Sequence, residues 1–112
     1  MKIINAGSLA HGRFEGASDG PASISMILDE SQPGGGPRLH RHPYDETWLV
    51  QEGHLRFQVG DRQGEAGPGD IVLAPPHVPH KFTNQGPERS RVICIHASPT
   101  IIGEFLEQTR HQ

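Results

Sequence analysis

The stretch GGGPRLHRHPYDETWLVQEG, residues 34–53, decides how the chain is read. It places His40 and His42 two apart and Glu46 four residues further on. In an extended strand residues i and i+2 project to the same face, so the two imidazoles stand side by side. Pro43-Tyr44-Asp45 reads as a three-residue turn. A strand returning over residues 47–51 then sets Glu46 across from His42 in a hairpin. Two imidazoles and one carboxylate meeting in this way suit a divalent first-row metal. His80, which opens a short strand over residues 80–84 after a proline cluster, is the natural fourth donor. Three neutral imidazoles and a carboxylate fill four positions of an octahedral site and leave two for water, dioxygen or a bidentate substrate.

Outward from this stretch the pattern is one of short strands between turns. Ile24, Met26 and Leu28 alternate with Ser23, Ser25 and Ile27, and Leu55, Phe57 and Val59 alternate with His54, Arg56 and Gln58. Residues 92–96 form a nearly continuous apolar run, fit for a strand buried on both faces. Glycine- and proline-rich clusters separate these segments, and neither an internal repeat nor a linker interrupts them. The expectation is a single all-β domain over residues 1–112, a sandwich or small β-barrel, with an early strand near Ile3-Ile4. One C-terminal α-helix is expected from Thr100. Ile101, Ile102, Phe105, Leu106 and Thr109 would share one face, with Glu104, Glu107, Gln108 and Arg110 on the other.

Composition narrows the function classes. The net charge of −3 offers no basic face to nucleic acid. No apolar run approaches the roughly 18–20 residues that span a bilayer, and Met1-Lys2 does not lead into a signal peptide. The lone Cys94 cannot close an intramolecular disulfide. The expectation is a soluble cytoplasmic domain whose partner is a small molecule, with no nucleic acid and no membrane. Its unusual feature is eight histidines.

The segment resembles the first motif of the cupin superfamily, G(X)5HXH(X)3–4E(X)6G, through Gly34, His40, His42, Glu46 and Gly53. The second motif, G(X)5PXG(X)2H(X)3N, is similar to Gly69, Pro75, His77, His80 and Asn84, with His77 where the pattern has glycine. Only 15 residues separate the two motifs, as in the compact single-domain type. The resemblance implies a jelly-roll β-barrel. It implies His40, His42, Glu46 and His80 as ligands of one divalent transition metal, and pairing into a homodimer. Imidazole and carboxylate suit Mn, Fe, Co, Ni, Cu and Zn alike.

Around that quartet, Arg38 shares parity with His40 and His42 and could bind an anionic or enolate oxygen. Trp48, Phe57 and Phe82 read as core or as the apolar wall of a cup. His77 is placed at the pocket mouth, and Tyr44 in the turn. His96 reads as a satisfied buried histidine or as a supporting acid–base group. Glu46, Arg38 and His77 are the candidate catalytic residues. The preferred reading is a metal-dependent dioxygenase acting on a small chelating substrate. The alternatives are Lewis-acid isomerase, epimerase or lyase chemistry on a carbonyl or sugar compound, and non-catalytic small-molecule binding.

Overall fold

The computed structural model describes residues 1–106, and their backbone hydrogen bonds run into two antiparallel sheets. In chain order the strands are β1 (Arg13–Phe14), β2 (Ser25–Ser31), β3 (His40–Arg41), β4 (Glu46–Glu52) and β5 (Leu55–Val59). They continue with β6 (Arg62–Ala66), β7 (Ile71–Ala74), β8 (His80–Asn84), β9 (Ser90–His96) and β10 (Glu104–Phe105). One sheet has the order β1-β2-β9-β4-β7 and the other β10-β3-β8-β5-β6. The sheets are not closed into the expected barrel; they face each other as two separate five-stranded layers. Among the described residues no helix is long and apolar enough to cross a membrane.

Side chains pointing between the layers make the core. Trp48, Val50, Val92 and Cys94 come from the first sheet, and Leu55, Phe57 and Phe82 from the second. The rings of Trp48 and Phe57 lie 5.3 Å apart across the layers, and those of Phe57 and Phe82 5.1 Å apart within the second sheet. Burying each such side chain contributes about 2 kcal/mol, which locates the glue in this seam. The alternation of β5 holds: Leu55 and Phe57 face in, Arg56 faces out.

Three local expectations give way. β3 and β4 belong to different sheets, so residues 43–45 cross between layers and make no hairpin. Glu46 pairs in register with Ala74 and His96 instead. The C-terminal segment is no helix as far as residue 106; residues 107–112, the rest of the expected helix, lie outside the described residues. Its donors and acceptors go elsewhere. Ile101 N–H binds Glu15 and Leu106 N–H binds the Leu39 carbonyl, while Glu104 and Phe105 pair with Arg41 and His40 on the open edge of β3. Gly103 in mid-segment and an isolated helix of under three turns both favour that outcome. Ile3 and Ile4 form no strand.

The alternation of β2 also holds, with the set containing Ser25 on the inner face. Ser25, Ile27, Asp29 and Ser31 turn inward, whereas Met26 and Leu28 turn outward beneath Leu9 and Phe14 of the N-terminal segment.

Candidate metal centre

Two pieces of register assemble the site. In the second sheet His40 stands directly opposite His80, and in the first sheet Glu46 stands opposite His96. His42 follows β3 and reaches across the gap to Glu46. One ligand atom each from His40, His42, Glu46 and His80 lie within 4.8 Å of one another, a group able to hold a metal ion. His42, Glu46 and His80 are buried and His40 is half-buried.

Backbone carbonyls fix the imidazole tautomers. His40 Nδ1–H donates to the Arg38 carbonyl at 2.6 Å, His42 Nδ1–H to the Ile102 carbonyl at 2.6 Å, and His80 Nδ1–H to the Val78 carbonyl at 3.1 Å. A carbonyl only accepts, so each Nδ1 carries the hydrogen and each neutral ring keeps its lone pair at Nε2. This is how metal-ligating histidines are held. Nε2 of His42 and of His80 each lie 3.0 Å from Glu46 Oε1, and none of these three buried atoms has a hydrogen-bond partner. Lone pairs facing a carboxylate in a dry interior need positive charge between them. A divalent cation fits that requirement, and an imidazolium proton meets it in part.

The acid–base balance shows the same demand. Burial alone would raise the Glu46 carboxyl, but the facing imidazoles of His42 and His80 outweigh it and hold it at about 2. Burial opposes protonation of His42 as well, yet Glu46 and the Ile102 carbonyl raise it above the ordinary histidine value. His40 is lowered by burial and by its histidine neighbours.

His96 is buried, 2% exposed, and its Nε2 lies 3.4 Å from Glu46 Oε2 with no hydrogen-bond partner. Its Nδ1 is 2.8 Å from the Tyr44 hydroxyl, which accepts the Ile102 N–H at 3.1 Å. Burial pushes the His96 imidazole down to about 4. A neutral buried histidine therefore stands beside the carboxylate, backed by Tyr44.

A cavity of about 230 Å³ opens on the group. Trp48 and Phe82 form part of its apolar wall, and Ile101, Gly103 and Phe105 of the C-terminal segment close another side. A Cβ at Gly103 would meet the His42 ring at 3.3 Å, so the small residue lets this segment lie against that imidazole. Asp29 lines the end of the cavity away from Glu46. Cys94 also lines the cavity, its thiol raised well above the usual range by burial.

The other candidates lie at or beyond the rim. Arg38 is exposed, with its guanidinium carbon 4.4 Å from the centroid of Phe105. The His77 side chain is exposed and absent from the cavity lining. Its backbone takes a φ of 67°, the left-handed conformation that the glycine of the second motif would adopt freely, and its N–H binds the His42 carbonyl at 2.6 Å. His54 is exposed and pairs with Glu65, and His11 is exposed.

Comparison with known proteins agrees with this geometry. A family model described as "Cupin domain" matches residues 27–96. Acireductone dioxygenase from Bacillus pumilus is 30% identical, the match covering 77% of this chain and 48% of that protein. The chain thus spans about half the length of this curated relative. A crystal structure from Klebsiella pneumoniae, an uncharacterized conserved protein with a double-stranded beta-helix domain, is 25% identical with a TM-score of 0.70, covering 77% of this chain and 76% of that one. Bacillus subtilis oxalate decarboxylase, solved in a study of its Mn(II) centers, gives a TM-score of 0.79 at 22% identity over 84% of this chain and 27% of that one. At that identity it supports the fold alone, which is a cupin-like double-stranded β-helix.

Proposed function

We propose that this chain, which belongs to the cupin domain family, is a metal-dependent dioxygenase acting on a small chelating substrate such as an enediol, diketone or catechol. The observation that carries the proposal is the convergence of unpartnered buried atoms, His42 Nε2, His80 Nε2 and Glu46 Oε1, on one point of an apolar cavity. His40, His42, Glu46 and His80 would hold one divalent ion of Mn, Fe, Co, Ni, Cu or Zn. The relative that acts on acireductone, at 30% identity, favours oxidative chemistry on a chelating compound. A redox-active divalent ion in such a site supplies a Lewis acid with adjacent open positions for a bidentate substrate and dioxygen.

The chain's own residues supply the rest. The three Nδ1–H bonds orient the rings in advance, so little reorganisation accompanies loading. Trp48, whose ring packs edge-on 4.9 Å from His80, and Phe82 exclude water from the reacting end. Arg38, beside Phe105, would meet an anionic oxygen of an entering substrate. We include a homodimer in the proposal. Ile71 and Leu73, 65% and 66% exposed on edge strand β7, are the apolar surface a second copy would cover, and a monomer mass in light scattering would contradict it.

A second reading rests on His96. Lewis-acid isomerisation or lyase cleavage needs a base beyond the ligands, and His96, neutral and lining the cavity, would serve by taking a proton at Nδ1 from the Tyr44 hydroxyl. Metal analysis, then oxygen uptake against acireductone, diketones and phenolics, separates the two. Metal-dependent oxygen consumption supports the dioxygenase. Turnover that persists without oxygen supports the isomerase or lyase. No oxygen uptake after reconstitution with iron, manganese, nickel or copper contradicts the first reading.

A further inference from the structure

The cavity has two polar ends, and only one of them is the metal group. Asp29 lies on β2 in register with Val92, which pairs in turn with Val50, while Ser25 aligns with His96 and Glu46. Asp29 is thus four residues from the row of the carboxylate ligand, about 13 Å along the strands. Between the two ends the lining is hydrocarbon and aromatic ring: Ile27, Trp48 and Phe82, with the inert thiol of Cys94. Asp29 turns inward with Ser25 and Ile27, and its Oδ2 accepts the Ser31 hydroxyl at 2.8 Å, which holds the carboxyl in place. Among the described residues no lysine or arginine lines the cavity.

Resting on the metal-centre reading, we propose that Asp29 is a specificity-determining residue. It selects substrates that carry a hydrogen-bond donor, a hydroxyl or protonated amine, at the end remote from the chelating oxygens. It turns away those with a carboxylate there. A donor tail gives the carboxyl a charge-assisted hydrogen bond in a poorly hydrated pocket, whereas a carboxylate tail brings like charges together with no cation between them. Burial already pushes the Asp29 carboxyl above its usual range, so this end of the cavity resists a second negative charge. The apolar waist sets the form of the molecule: a compact chelating head, a hydrophobic or aromatic middle, and one donor group. The volume of about 230 Å³ suits a single ring with a short tail.

Hydroxypyranones that share one chelating head and differ only in the tail test this. The probes are kojic acid (hydroxymethyl), its aminomethyl analogue, allomaltol (methyl) and comenic acid (carboxylate). Each is titrated into the Zn(II)-reconstituted chain and into Asp29→Asn and Asp29→Ser variants, with zinc content measured on the same samples. The wild type should bind kojic acid and the aminomethyl probe about tenfold more tightly than comenic acid, and both variants should shrink that ratio to about threefold or less. Comparing ratios between variants cancels the intrinsic chelating strength of each probe, and two variants guard against one that fails to fold. A ratio unchanged in variants that keep their zinc, or a wild type that prefers comenic acid, overturns the role of Asp29 and leaves the metal centre standing. A wild type that takes up neither zinc nor any probe overturns the metal centre, and this inference with it.

Discussion

Tyr44 and His96, 52 residues apart in the chain, share a 2.8 Å hydrogen bond that reaches the carboxylate between the sheets. The Tyr44 oxygen already accepts the Ile102 N–H, so its own hydrogen goes to His96 Nδ1. The His96 hydrogen then sits on Nε2, 3.4 Å from Glu46 Oε2, leaving Oε1 to face His42 and His80. The Ile102 peptide thus grips two histidines at once, through Tyr44 by its N–H and through His42 by its carbonyl.

Tyr44→Phe keeps the ring stacked on His42 and removes only the hydroxyl. It should cost about 1–2 kcal/mol of stability, because a buried imidazole nitrogen loses its partner. Metal affinity should fall about tenfold as the support of Glu46 loosens. Chemical denaturation and metal titration of the variant check both numbers.

In the metal-stripped chain the contribution of His96 should be lost in acid, while His42, raised above the ordinary value, gains its contribution as pH falls. The folded value of His96, about 4, lies below the ordinary 6.5, so its contribution is fully present above pH 6.5 and is lost as pH falls toward 4. The loss is about 3 kcal/mol. Glu46, held at about 2 against an ordinary 4.5, acts in a separate window and gives up its contribution only below pH 4.5. Urea denaturation at pH 7 and pH 4.5 should show a smaller drop in His96→Gln than in the wild type; equal drops would contradict the assignment.

His42→Ala removes one nitrogen from the centre while Trp48, Phe57 and Phe82 keep their packing. The expected result is a folded β protein by circular dichroism with metal affinity down more than about 100-fold. Wholesale unfolding of the metal-free variant would show that the ion holds the sheets together.

His77→Gly restores the residue of the second motif at a left-handed position. Relief of backbone strain and the added freedom of the unfolded chain oppose each other, so stability should change by less than about 1 kcal/mol. With the imidazole outside the cavity lining, metal affinity should stay within about twofold, as for a surface change. A large loss of metal would bring His77 back into the site.

The convergence of His40, His42, Glu46 and His80 was legible because a two-residue strand period and the motif spacing are both local. The bridging aromatics Trp48, Phe57 and Phe82 were legible for the same reason. What escaped was decided by distant partners. Ser25 faces inward because its hydroxyl reaches the Ser98 carbonyl and accepts the Gly16 N–H, contacts that no local pattern announces. Met26 and Leu28 face outward because the N-terminal segment covers them, and Asp29 was missed with them. The amphipathic pattern after Thr100 is real, but the open edge of β3 takes Glu104 and Phe105. The turn at residues 43–45 delivers Glu46 to His42 by switching sheets, which a two-strand hairpin reading cannot anticipate.

X-ray absorption at the metal edge of the Zn(II)- or Co(II)-reconstituted chain tests the central claim most directly. The account predicts one ion per chain with three imidazole nitrogens and a carboxylate oxygen at about 2.0–2.2 Å, and loss of one imidazole contribution in His80→Ala. An all-oxygen shell, or the same imidazole signal after removal of His80, would contradict it.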